Sequence, residues 1–97
     1  MKTIFIAYNM SMENYDLYKE YCDYINTFKG FHILSKLNIT DHNCTKDLFK
    51  MSDCILKLKE WGTNNKYDEY ELNMAKEMEI SIYDEYNIED YLINNKL

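Results

Sequence analysis

Glu71 is an acid where a helix should present an apolar residue. In the stretch WGTNNKYDEYELNMAKEMEISIY, residues 61–83, helical spacing from Tyr67 aligns Glu71, Ala75 and Met78 at i, i+4 and i+7, so an inward stripe begins with a carboxylate. A carboxylate in that place has two uses. It can favour the positive end of its helix, worth about 0.3–1 kcal/mol at an exposed site, or it can act on a substrate in a cleft. Tyr8, Trp61 and Tyr67 add aromatic surface that serves equally for packing or for lining a pocket.

The elements that must position these groups follow from periodicity. Lys2 to Ala7, KTIFIA, is a β-branched and aromatic run that predicts a strand, and Met12 to Phe28 sets Tyr15, Tyr18, Cys22 and Ile25 along one helical face. Gly30 supplies a left-handed stop, and Phe31 to Leu34 forms a second strand. After the polar stretch LNITDHN, Thr45 caps a short helix to about Met51, and Asp53 introduces a third strand, CILKL. The loop EWGTNN, the helix bearing Glu71 and a fourth strand, Ile80 to Tyr83, complete the pattern. Strands alternating with helices predict βαβ units, because parallel neighbours need long right-handed crossovers. We therefore expect an α/β fold, a small three-layer domain with a four-stranded parallel sheet of flavodoxin or Rossmann type and helices on both faces. Residues 1–83 form that domain. Residues 84–97 carry Ile88, Tyr91 and Leu92 at helical spacing and add a C-terminal helix to it, as a surface element or a subunit contact.

Composition narrows the function classes. The 97 residues make one domain, 46% apolar and aromatic, with no run near the roughly 18–20 residues that span a bilayer. The opening MKTIFIAYNM lacks a small-residue cleavage site, so the expected protein is soluble and cytoplasmic, with no membrane partner. A formal charge of −6 repels a phosphate backbone and argues against nucleic acid. Cys22, Cys44 and Cys54 lie in unrelated segments without metal-ligand spacing, so reduced thiols are expected, and neither a metal nor a cofactor. His32 alternates with Phe31 and Ile33 and reads as a structural histidine, and the pair Asp41-His42 has no nucleophile beside it. The chain contains no arginine and no proline, a bias typical of AT-rich coding sequence. Any anion would be held by Lys, hydroxyls, Asn side chains or backbone N–H groups at helix starts.

In such a sheet the ligand crevice lies beyond the carboxyl ends of the strands, where strand order reverses. Three segments reach that end: Tyr8-Asn9-Met10, the loop from Glu60 to Asn65 with Trp61, Gly62 and Thr63, and the first turn of the helix carrying Tyr67, Asp68 and Glu71. Asp53 precedes its strand and belongs at the opposite end, in a capping or turn role.

The segment SDCILKLKEWGTNNKYDEYELNMAKEMEISIY resembles the second half of the nucleoside 2-deoxyribosyltransferase-like families. The likeness is carried by Asp53 leading a buried strand, Trp61-Gly62 in the loop, Glu71 with Ala75 four residues on, and Ile80 to Tyr83 as the closing strand. KTIFIAYNM is similar to the opening strand of the family, and Asn14 falls where its members begin a helix, so the likeness spans about residues 2–83. The resemblance implies a pocket for a nucleoside or nucleotide with Glu71 as the nucleophile at the anomeric carbon. An N-glycosidic bond breaks through an oxocarbenium-like state that a carboxylate can trap or stabilise, and Asp68 or Glu60 would protonate the leaving base. It also implies a homodimer or higher homo-oligomer whose neighbouring subunit completes each site.

Where the family has Gly-Pro after its first strand this chain has Tyr8-Asn9, and where it has glycine four residues before the Glu this chain has Tyr67, followed by Asp68. Glycines there let a substrate approach the backbone, whereas a tyrosine reshapes the pocket and can stack on a base. The expectation is therefore a protein that binds and sequesters a small nucleoside or nucleotide, such as a signalling nucleotide removed by a virus or mobile element as an anti-defence measure. An active nucleoside N-glycosidase or deoxyribosyltransferase is the first alternative. An inhibitor acting through protein–protein contact is the second.

Overall fold

Six residues rich in β-branched and aromatic side chains, Lys2–Ala7, form the central strand β1 of the computed structural model, which describes residues 1–9, 12–35, 45–59, 61–62 and 66–97. The chain continues through α1 (Met12–Asn26), β2 (Phe31–Leu34), α2 (Thr45–Met51), β3 (Cys54–Lys57), α3 (Lys66–Glu77), β4 (Ser81–Tyr83) and α4 (Ile88–Asn95). All four strands are parallel, in the order β2-β1-β3-β4. The fold is the expected three-layer α/β domain.

Both faces of the sheet are covered, as parallel sheets require. Ile4, Ile6, Tyr8, Cys54, Leu56 and Leu58 face one layer, where Ile25 of α1 and Ile88 and Leu92 of α4 close over them. Phe5, Ala7 and Ile55 face the other, against Leu48 and Phe49 of α2, Ala75 of α3, and Trp61. The alternation along β1 sorts its residues between two cores because successive side chains point to opposite faces. The C-terminal helix is thus part of the core: Ile88 and Leu92 are 1% and 0% exposed, and Tyr91 packs on Phe31 and Tyr83.

Element ends differ from the sequence expectation where local hydrogen bonding intervenes. The first helix stops at Asn26 instead of Phe28 because Thr27 and Phe28 donate to the carbonyls of Tyr24 and Ile25, which tightens the last turn. Gly30 then turns the chain at φ +100°. Ile80 lies outside β4 because its N–H bonds the Ala75 carbonyl while Glu79, at φ +59°, donates to Lys76; this helix stop uses the backbone that a ladder would need. Leu58 follows β3 but still donates to Ala7 O at 3.0 Å.

At the amino ends of the strands Asp53 ties β3 to β1. Its Oδ2 accepts from Thr3 N at 2.7 Å, and its own N–H donates to Thr3 O at 2.8 Å. This is the turn role expected of it, at the end away from the crevice. His32 lies on the edge strand β2, exposed. Among the described residues no helix is long and apolar enough to cross a membrane, and no group of three His, Cys, Asp or Glu is placed to hold a metal.

Candidate functional site

The chain leaves β1 to build β2 on one side and returns to build β3 on the other, so strand order reverses between β1 and β3. The Leu58–Ala7 hydrogen bond joins these neighbours just beyond the end of their ladder. Past it one connection enters α1 and the other leads to α3, and these helices cover opposite faces. In open parallel sheets that divergence is where a ligand crevice is expected.

On one flank stands the start of α3. Asp68 and Glu71, 6% and 5% exposed, are the buried acids of this helix, and Ala75 at 0% continues their face. Residues three and four apart share a helical face, so the inward stripe expected from Glu71 onward begins one turn earlier, at Asp68. Buried carboxylates are costly without partners, and both residues are engaged by neighbours. Asp68, in the first turn, also lies in the positive field of the helix start.

Trp61 and Gly62 are the footing of that helix. Trp61 is 1% exposed within the α2/α3 core, and its N–H donates to Leu58 O at 3.2 Å. Gly62 has φ +92°, and a Cβ on it would lie 2.7 Å from Leu72 Cδ2, so α3 sits directly on a backbone that needs glycine. Tyr67 is also engaged, yet it projects outward at 73% exposure.

The other flank is built from tyrosine. The Tyr8 ring belongs to the α1/α4 layer and stacks on Tyr18 at 4.9 Å, and Tyr18 stacks on Tyr15 at 6.2 Å. Tyr8 is 7% exposed, and its buried hydroxyl has no hydrogen-bond partner among the described residues, while the Tyr18 hydroxyl meets Ser35 Oγ at 3.2 Å. Burial, reinforced by the neighbouring phenols, pushes the Tyr8 phenol up to about 12, so it is a neutral donor at neutral pH. Asn9 follows it, half-buried and engaged.

The expected site residues therefore fall into two sets at one end of the sheet. Trp61, Gly62, Asp68 and Glu71 gather on the α3 side, and Tyr8 lies on the α1 side. Met10, Glu60 and Thr63 lie outside the described residues, as do Asp41, His42 and Cys44.

Lys59, on the connection from β3 to α3, reaches the α1/α4 side and is not singled out by motif reasoning. It sits at φ +40°, its N–H donates to Glu85 Oε1 at 3.0 Å, and its ammonium pairs with Glu13 at the start of α1. The hydrogen bond and charge of Lys59 hold the Glu13 carboxyl below its ordinary range. The signal in the sequence is a lysine two residues past a strand, at the ligand end of the sheet, in a chain without arginine.

No family model matches the chain, and neither does any curated protein or solved structure.

Proposed function

We propose that the crevice between β1 and β3 binds a small nucleoside or nucleotide and sequesters it without turnover. The observation that carries this reading is the buried pair Asp68 and Glu71, one turn apart at the sheet's carboxyl end. Carboxylates in such a position accept hydrogen bonds from the vicinal hydroxyls of a ribose, each worth about 1.5–3 kcal/mol when the acceptor is charged. The Tyr8 hydroxyl offers a donor that the described residues leave unused. Tyr67, exposed beside the pair, offers a ring for a base. Tyrosines at positions 8 and 67, where the family it resembles has glycine, favour holding over turnover.

A second reading stands on the same pair. With Glu71 as nucleophile and Asp68 as proton donor, the crevice would be a nucleoside N-glycosidase or deoxyribosyltransferase, and the burial of both carboxylates on one helical face is what favours it. Incubating the purified protein with a mixed nucleotide pool, then filtering, releasing by heat and analysing by mass, separates the two. Recovery of an intact nucleotide supports sequestration. A base and a sugar product that grow with time support the enzyme.

The reading includes a homodimer. Tyr67 and Tyr70 stand 73% and 66% exposed on α3, and a second subunit would cover Tyr70 and complete the site around Tyr67.

A further inference from the structure

Leu17, Tyr21 and Tyr24 of α1 and Ile88 of α4 line a groove of about 370 Å³ rimmed by Glu20, Glu85 and Glu89. It lies on the α1/α4 layer, away from the buried acids of α3. Ile88 is a buried floor at 1% exposure, and the Tyr21 and Tyr24 rings meet edge to face at 6.3 Å. The turn before α4 is fixed: Asp84 Oδ1 accepts from the N–H groups of Tyr86 and Asn87 at 2.9 and 3.0 Å, and Asn87 Oδ1 accepts from Asp84 N at 2.7 Å. Glu85 within that turn is further held by Lys59 N–H.

The acids act on the rings they surround. Burial first, then the charge of Glu85, raises the Tyr21 phenol above its ordinary value, and Glu89 adds to the rise at Tyr24. Among the described residues no lysine lines the groove, and the ammonium of Lys59 is turned to Glu13. We infer that this groove docks a basic segment of a partner protein, with a Lys or Arg stem over Leu17 and Ile88, its cation against the tyrosine rings, and the three glutamates around it.

Charge complementarity decides the occupant. Aromatic faces attract a cation, the more so when carboxylates flank them, and an apolar floor suits the methylene stem of a long basic side chain. The line from Leu17 to Tyr24 is about 10 Å at 1.5 Å per residue, the reach of three extended residues. The homodimer proposed above uses the exposed tyrosines of α3 on the opposite layer and would leave this groove open.

The test is fluorescence anisotropy of a dye-labelled octapeptide of alternating Arg and Ala, with the full chain at about 0.15 M salt, where long-range attraction is screened. Saturable one-to-one binding is expected, weakened at least about tenfold by the double variant Glu20→Gln, Glu89→Gln. The double variant Asp47→Asn, Glu77→Gln removes the same charge from exposed positions on the opposite layer, and should change affinity less than about twofold. Absence of saturable binding, or equal weakening by both variants, overturns the proposal. Free spermidine displacing the peptide at equal concentration would overturn the assignment to a protein segment. None of these outcomes bears on nucleotide binding at the crevice.

Discussion

Asp68 and Glu71 stand one helical turn apart on the inner face of α3, 6% and 5% exposed, while Glu69 between them faces solvent. A helix that needed acids only for its dipole could place them all like Glu69, where the same field acts without desolvation. Turning two carboxylates inward has a desolvation cost, which the neighbours that engage both residues offset in part; in the proposed reading a ligand with hydroxyl donors would add to them.

The footing of that helix is tested at Gly62. Gly62→Ala should lower stability by about 1–3 kcal/mol, from a positive φ that a side chain resists and a clash with Leu72. Adding Leu72→Ala should relieve the clash in part and leave the backbone strain. Urea denaturation of the single and double variants measures both, and a Gly62→Ala protein as stable as wild type would show that α3 is not seated there.

Leu92→Ala should cost about 2–5 kcal/mol, the usual loss for a fully buried leucine. A core role for α4 predicts this, whereas a loosely attached surface helix would lose less than about 1 kcal/mol. Thermal and urea unfolding decide between them.

Alkaline pH should destabilise the fold. Burial raises the Tyr8 phenol from 10.0 to about 12 and the Cys54 thiol from 9.0 to about 12, and it raises Tyr91 as well. The unfolded chain releases these protons first, so their contribution is intact below about pH 9 and is lost as pH rises toward about 12. Tyrosinate absorbance should show a class of tyrosines that ionises only as far-ultraviolet circular dichroism collapses. All ten titrating together near 10 in a folded chain would contradict the buried phenols.

Assembly is read by light scattering. A homodimer across a wide concentration range is expected, converted to monomer by Tyr67→Ser with Tyr70→Ser, since a stable interface needs about 800 Å² from each subunit. A wild-type monomer at all concentrations would remove the dimer from the account.

Periodicity made the elements legible, down to Asp53 at the far end of the sheet and the inward turn of Glu71. It could not make strand order legible. Whether Tyr8 and Glu71 share a layer depends on which side of β1 each later strand pairs, because right-handed crossovers send α1 to one face and α3 to the other only once that order is fixed. Asp68 escaped the stripe because the count stepped by four from Tyr67, which is exposed, to Glu71, while Asp68 lies three residues before Glu71. Lys59 escaped because its partners, Glu13 and Glu85, are 46 and 26 residues away. The ends at Asn26 and Ile80 depend on local backbone bonds that side-chain patterns do not encode.

The most direct measurement is titration calorimetry of wild type and Glu71→Gln with the nucleotide recovered from the mixed pool, run beside a base-release assay. Sequestration predicts that wild type binds, that Glu71→Gln weakens binding by about 1.5–3 kcal/mol, and that neither protein releases base. Unchanged affinity with no product in either protein would reduce Glu71 to a helix-end charge. Base release by wild type that Glu71→Gln abolishes, with affinity kept, would make it the nucleophile of an enzyme and contradict sequestration.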